Sequence, residues 1–382
     1  MHIVVFPGWY PSRVDKLSGD FIQRHLHAIA QNCKVSVVIP VKDSTIHTTD
    51  IVTIENNNLT EIYYYYPSQS SITWLDRLFS FIRYNSLCLK ATRLISEKEK
   101  VSLIYLYVLQ KNHFTGILLQ WMYKIPYVIS ECSTFYVDGR FEKMNAIQKR
   151  IYRYVFNKAA SFHAVSDYLL KTLQSKLRLN KEGVVIPNVV DAHQFYYAHD
   201  MANDKVTFVH VSNMVYQKNV GGMLQAFAEV RKVNANFLLN LVGPLSDSVN
   251  TLIYELGLAK HVVTWHERHY AEVAQIMQQS DVFVFFTRYE TFGCVIIEAN
   301  ACGLPVIVSD LAVTRELVTE NFNGLFVENE NVQDLTDKLL SALLNPARFD
   351  PIAISLQARK KFNYQKIGQQ FYDWYTSVLI KN

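Results

Sequence analysis

The chain has 382 residues, 49% of them hydrophobic, and a formal net charge of +4. That length favours two domains, each able to bury its own core, and so small a charge excess excludes a polycationic nucleic-acid binder. The five cysteines, at 33, 88, 132, 294 and 302, are odd in number and without a CxxC pair, so they read as reduced thiols of a cytosolic protein and exclude a disulfide frame or a cysteine zinc site.

In chain order, MHIVVFPGWYPS is a short apolar run closed by Pro and Gly, without the basic flank and long apolar core of a signal peptide. No run reaches the ~18 apolar residues that span a bilayer, so the expectation is a soluble, cytoplasmic chain. Strands are predicted at 2–6, 34–40, 61–67, 102–108, 126–130, 161–165 and 183–187, with helices near 19–31, 73–98, 112–123, 142–157 and 166–177. The four tyrosines at 63–66 read as a strand with alternate rings in and out. Hydrophobic periodicity lapses in DAHQFYYAHDMANDK, 191–205, which is the expected boundary. Strands at 205–211, 236–243, 261–265, 281–286 and 304–310 then restart the alternation, and 362–382 is an amphipathic aromatic helix pattern. Continuous Val/Ile/Phe runs separated by helices suit parallel strands covered on both faces. Two successive series of this kind predict an α/β protein of two doubly wound, Rossmann-like domains.

The stretch RYETFGCVIIEANACGLP, 288–305, sets two carboxylates, Glu290 and Glu298, in an apolar surround. A strand ending near Phe286 and a helix starting near Gly293 make 287–292 a loop at the carboxyl end of a parallel strand, where doubly wound sheets bind ligands. Gly293 allows close backbone approach, and the helix start offers N–H groups to phosphate or sugar oxygens. Glu298, beside Val295, Ile296 and Ile297, needs donors such as sugar hydroxyls if it is buried. On spacing alone, Glu290 also fits a first-turn acid favoured by the helix dipole, and Glu298 a solvated side chain. Lys218 in VSNMVYQKN by itself reads as a solvated lysine, Gly19 as a turn glycine, and His113 in LQKNHFTG as a helix N-terminal surface histidine. His163 and Asn188 read as packing and turn residues. Arg140, Lys143, Lys149, Arg150, Arg153 and Lys158 form a basic face that is either solvated or rests on an anionic membrane. No Asp-x-Asp cluster suits a divalent metal.

Together, ETFG (290–293), EA (298–299) and ACGLPVI (301–307) resemble the E-x-F-G-x-x-x-x-E-A-x-A-x-G-x-P-V-I signature of retaining GT-B glycosyltransferases of family four, the glycosyl transferases group 1, in every fixed letter. WYPS…SGDFIQRHLHAI (9–29), HAVSDYL (163–169), VIPNVVD (185–191) and NGLFV (323–327) are similar to further stretches of that family. The resemblance implies a GT-B fold, two Rossmann-like domains facing across a cleft. The first, 1–197, would be the acceptor-side domain, with helix 364–382 packed back on it, and 198–363 the donor-binding domain. It implies transfer of a hexose from a nucleotide-diphosphate sugar to a hydroxyl acceptor, with retention of configuration, no metal and no cofactor.

Carried over by position, Glu290 would hold donor-sugar hydroxyls, Glu298 the ribose, and Lys218 the diphosphate. Thr291, Phe292 and Gly293 would bring amides to the sugar and diphosphate, Gly19 would lie by the phosphates, and His113 would face the sugar. The chain departs from the family at three places. Ser212, Asn213, Met214 and Val215 lack the usual arginine, for which Arg288 and Arg268 are the candidates; Cys132 follows Glu131 where a histidine is usual; and Ala312 and Val313 replace a glycine pair before Glu316. The expected partners are a nucleotide sugar and a carbohydrate or lipid-linked glycan acceptor in cell-surface polysaccharide or lipopolysaccharide assembly, with peripheral contact at the inner face of the cytoplasmic membrane. A non-catalytic sugar-nucleotide-binding subunit and a GT-B epimerase stand as alternatives.

Overall fold

The computed structural model describes residues 1–16, 18–68, 72–198 and 205–381. Two compact units make up the chain: Met1–Val189 with Tyr364–Asn382, and Val190–Asn363. The expected boundary stretch includes 199–204, which lie outside the described residues.

The first unit contains strands β1 (His2–Pro7), β2 (Lys34–Lys42), β3 (Asp50–Asn56), β4 (Leu59–Tyr66), β5 (Leu103–Tyr107), β6 (Tyr127–Glu131), β7 (Ser161–Ala164) and β8 (Val184–Val185). Its helices begin with α1 (Asp20–Ala30), α2 (Thr73–Lys98), α3 (His113–Tyr123), α4 (Ala146–Lys158) and α5 (Asp167–Leu177). The second unit has β9 (Val206–Val211), β10 (Phe237–Val242), β11 (Val262–Thr264), β12 (Val282–Phe285), β13 (Val306–Ser309) and β14 (Gly324–Val327). Its helices are α6 (Val220–Val233), α7 (Asp247–Glu255), α8 (Tyr270–Gln278), α9 (Cys294–Ala301), α10 (Val332–Leu344) and α11 (Pro351–Phe362). The last helix, α12 (Tyr364–Lys381), returns to the first unit.

In the first sheet the order is β3-β4-β2-β1-β5-β6-β7-β8. Only the β3–β4 pair is antiparallel. Ile3, Val5, Val35, Val37, Leu103 and Tyr105 share one core with residues of α1 and α12. Their alternates Val4, Phe6, Ile104 and Leu106 are just as buried, as strands covered on both faces require. The tyrosines at 63–66 correct the expectation of rings turned in and out. Tyr63 and Tyr65 stack at 5.9 Å in the α1 core, while Tyr64 and Tyr66 turn to the other side, and all four are buried. Burial beside α2 pushes the Tyr66 phenol up to about 12. β3 was not expected. It folds back from β4 through Asn57, whose φ of 50° is a left-handed turn conformation that asparagine tolerates. α4 starts four residues later than expected at 142, because Asn145 and Gln148 form a reciprocal cap.

The second sheet runs β11-β10-β9-β12-β13-β14, all parallel. Chain order reverses direction between β9 and β12, so the crevice beyond the carboxyl ends of those two strands is the natural ligand position.

Phe371 of α12 is fully buried, with ring centroids 5.1 Å from both His25 and His163, and the Trp374 indole N–H donates to Ser161 Oγ at 2.9 Å. Phe371→Ala should therefore cost about 3–5 kcal/mol in urea denaturation; a loss much smaller than this would mean that α12 is peripheral to the first core.

Candidate active site

The crevice begins with a tie between its two strands. His210, near the end of β9, is fully buried and donates from Nδ1 to the Val284 carbonyl of β12 at 2.8 Å, while Nε2 accepts from the Ser212 hydroxyl at 2.8 Å. Burial lowers its pKa to about 4, with the nearby Lys218 charge acting in the same direction, so the imidazole is neutral near pH 7.

The two loops leaving these strands are laced together. Thr287 donates its hydroxyl to the Gln217 carbonyl at 2.9 Å, and the Arg288 amide donates to the same oxygen at 2.8 Å. The Gln217 side-chain amide donates to the Tyr289 carbonyl at 2.7 Å and to Glu290 Oε1 at 2.9 Å. Lys218 closes a 3-10 turn, Tyr216–Lys218, and its ammonium pairs with the same Glu290 oxygen, 4.8 Å from the Phe285 ring centroid. Glu290 is only 6% exposed and precedes the Gly293 cap of α9, so it is not a first-turn acid of that helix.

Gly293 caps α9 with φ 93°, ψ 65°, and a Cβ there would stand 2.9 Å from the Ile296 side chain, so the loop turns into the helix in a conformation that favours glycine. The Thr291 amide lies 3.3 Å from Glu290 Oε2, and Phe292 packs inward with its ring 6.3 Å from Phe362. Glu298, in the second turn of α9, is 3% exposed and accepts from the Tyr270 hydroxyl at 2.9 Å; Tyr270 in turn packs on Phe195 at 4.7 Å. Burial thus removes the solvated alternative for Glu298. Gln217 and Tyr270 were missed in the sequence. Gln217 adjoins Lys218 in the motif already singled out, whereas nothing local marks Tyr270 as the partner of Glu298.

Neither candidate for the missing arginine is loose. Arg288 pairs with Glu330 at 2.7 Å, donates to the Tyr216 carbonyl at 2.5 Å and covers the Tyr216 ring at 4.1 Å. Arg268 pairs with Glu272 at 3.3 Å and donates to the Trp265 carbonyl at 2.7 Å.

In the first unit the corresponding reversal lies between β1 and β5, where a cavity of about 220 Å³ is lined by Gly8, Trp9, Tyr10, Lys42, Gln110 and Lys111, among others. Gly19 caps α1 at φ 75°, and a Cβ would meet the Trp9 carbonyl at 2.7 Å, which accounts for a glycine independently of any ligand. His113 opens α3, its Nδ1 bonded to the Gln110 carbonyl and its ring among Phe81, Phe114 and Tyr152. Burial lowers its pKa below the ordinary histidine value. Glu131 is buried at the end of β6 and accepts from the Leu109 amide at 3.0 Å; burial raises its pKa to about 7. His163 is a buried packing residue, bonded to Ser130 at 2.5 Å and the Ile186 carbonyl at 2.7 Å.

The depressed pKa of His210 has a fixed sign. The unfolded histidine takes up its proton near pH 6.5 and the folded one near 4, so its contribution to stability is complete above 6.5 and is lost as pH falls towards 4. That loss amounts to about 3 kcal/mol. Urea denaturation between pH 7 and pH 4 should show a correspondingly flatter acid limb for His210→Gln than for wild type; identical limbs would place the proton elsewhere.

Residues 197–366 match the family model of glycosyl transferases group 1. The chain is 26% identical over 290 residues to an uncharacterised glycosyltransferase of Methanocaldococcus jannaschii, covering 75% of this chain and 79% of that one. It is 25% identical over 293 residues to the N,N'-diacetylbacillosaminyl-diphospho-undecaprenol alpha-1,3-N-acetylgalactosaminyltransferase of Campylobacter jejuni, covering 71% and 76%. In fold it is similar to the Anabaena protein HepE, solved in complex with UDP, with a TM-score of 0.75 and 18% identity over 99% of this chain and 100% of that one. The stretch 197–366, which carries the Lys218–Glu290 crevice, therefore belongs to the glycosyl transferases group 1 family, and the chain is a glycosyltransferase of GT-B fold.

Proposed function

We propose that this glycosyltransferase moves a hexose, with retention of configuration, from a nucleotide-diphosphate sugar to a hydroxyl of a carbohydrate or lipid-linked glycan in cell-surface polysaccharide or lipopolysaccharide assembly. The observation that carries the reading is the buried Lys218–Glu290 pair at the β9/β12 reversal. A donor that offers sugar hydroxyls to the carboxylate and phosphate oxygens to the ammonium satisfies both charges with one ligand. As the bond from the sugar to the diphosphate breaks, negative charge grows on the leaving oxygen, and a preorganised Lys218 stabilises that charge more than it stabilises the ground state. Attack by the acceptor on the face the diphosphate leaves needs no protein nucleophile.

Glu298, held by Tyr270, takes the ribose hydroxyls. The amides of Thr291, Phe292 and Gly293, at the start of α9, take sugar and phosphate oxygens. With Nδ1–H donating to the Gln110 carbonyl, neutral His113 keeps Nε2 as an acceptor for a sugar hydroxyl. We assign the charge stabilisation to Lys218. The UDP bound to HepE and the undecaprenol-linked acceptor in the Campylobacter name support the donor and acceptor classes. No described helix is long and apolar enough to cross a membrane, so contact with a lipid-linked acceptor is proposed as peripheral, at the inner face of the cytoplasmic membrane.

The engagement of Arg288 and Arg268 in other pairs favours a second reading, a subunit that binds a sugar nucleotide without turning it over. Transfer and donor hydrolysis measured with a panel of nucleotide sugars separate the two: tight nucleotide binding with no turnover selects the second.

Glu290→Ala should abolish transfer while leaving the circular dichroism spectrum unchanged, and full activity in that variant would remove the site assignment. Glu298→Ala should weaken free-nucleotide binding by roughly 1–3 kcal/mol in calorimetry, and Tyr270→Phe by about 0.5–1.5 kcal/mol. Unchanged affinity in both would take the ribose away from this corner.

A further inference from the structure

Three helices on one side of the first sheet carry apolar side chains on the wrong face for a core. In the first turns of α2, Trp74, Leu78 and Ile82, four residues apart, are 65%, 48% and 52% exposed, while Asp76 and Ser80 on the opposite side are buried. In α3, Phe114, Leu118, Trp121 and Met122 form a second exposed stripe, with Trp121 74% exposed, although the helix already buries Thr115, Gly116 and Leu119. In α4, Ile147 is 72% exposed and Tyr154 lies on the same stripe seven residues on. Phe81 of α2 meets Phe114 at 5.8 Å, and His113 of α3 meets Tyr152 of α4 at 6.1 Å, so the three helices are neighbours.

Basic residues dominate the outer side of these helices, where the one exposed acid is Glu97, near the end of α2 and paired with Arg93 at 3.0 Å. From 73 to 94, and through α3 and α4, the single acid is Asp76, which is buried and paired with Lys42. Arg77, Arg83, Arg150 and Lys158 are exposed on the same helices. Soluble surfaces rarely combine contiguous exposed tryptophan and aliphatic side chains with a basic surround this poor in acids; a bilayer interface with anionic headgroups matches both parts.

We propose that the α2–α3–α4 face of the first unit docks on an anionic lipid bilayer, with Trp74 and Trp121 entering the interface and the arginines and Lys158 meeting lipid phosphates. This deepens the membrane contact in the function proposed above and rests on that part of it alone. The basic face seen in the sequence at 140–158 supplies one edge of the surface; the apolar stripes of α2 and α3 supply the rest.

Sedimentation with vesicles of phosphatidylglycerol and phosphatidylcholine, without donor or acceptor, tests it separately from the chemistry, so its failure leaves the transfer reading standing. Wild type should bind at low salt and release at high salt, and should ignore pure phosphatidylcholine. The double variant Trp74→Ser/Trp121→Ser should bind roughly tenfold or more weakly with an unchanged melting temperature, because both side chains are exposed. Trp121→Phe should keep binding with reduced fluorescence quenching by brominated lipid, and Trp74→Phe/Trp121→Phe should keep binding and lose that quenching. Absence of binding at low salt, or equal binding by the double serine variant, would overturn the proposal. So would a dimer in ultracentrifugation that the double serine variant dissolves, which would make this face a contact between copies of the chain.

Discussion

Everything in the second unit's crevice depends on keeping one carboxylate and one ammonium together out of water. Removing each ion from water costs several kcal/mol, and their attraction recovers this only when geometry and extra hydrogen bonds are good. The surroundings supply those bonds. Gln217 gives Glu290 a second donor, Thr287 and the Arg288 amide fix Gln217, and His210 ties the two parent strands. An exposed pair such as Arg268–Glu272 contributes little and needs no such scaffold. A pair this heavily supported is poor value as a stabiliser, and this points to a ligand as the reason for it.

Much of this was legible in the sequence, and what was not has a common cause. VFVF is apolar throughout and FLLNLV is broken only by Asn240, because parallel strands are covered on both sides, so the strands, and the alternation with helices, stand out. The loop 287–292 and the cap at Gly293 follow from a strand, a glycine and a helix start in succession. β3 was hidden because its residues mix Asp50, Glu55 and Asn56 with exposed Ile51 and Ile54, the mark of an edge strand, which lacks a one-faced pattern. Gln217 and Tyr270 were hidden because their bonds reach across 73 and 28 residues of sequence. Periodicity also identified α2 and α3 as helices without saying which of their faces would meet the sheet.

The first unit shows how differently its two sides are finished. On the α1 and α12 side, buried histidines and aromatics interlock: His25 with Tyr107 at 2.5 Å, His163 with Ser130, and Phe371 against both imidazoles. Desolvation keeps both imidazoles neutral near pH 7, since it holds each pKa below the ordinary value. Across the sheet, polar groups go inward at Asp76 and Asn85, and the outer surface is left to tryptophan, leucine and arginine. A sheet with one sealed side and one adhesive side is suited to being held against something.

The return of α12 has a consequence for how the chain is made. The first unit is discontinuous: its last helix follows 174 residues of the second unit, Val190–Asn363. As the polypeptide leaves the ribosome, the second unit is complete and able to close its sheet while the pocket around His25, His163 and Tyr105 still lacks Phe371 and Trp374. Its longest contacts, such as Phe371 against His25 across 346 residues of sequence, form last and carry the largest loop-closure cost. The unit begun first at the N-terminus is thus the one finished last, and until then it has an exposed aromatic seam of the kind that chaperones bind.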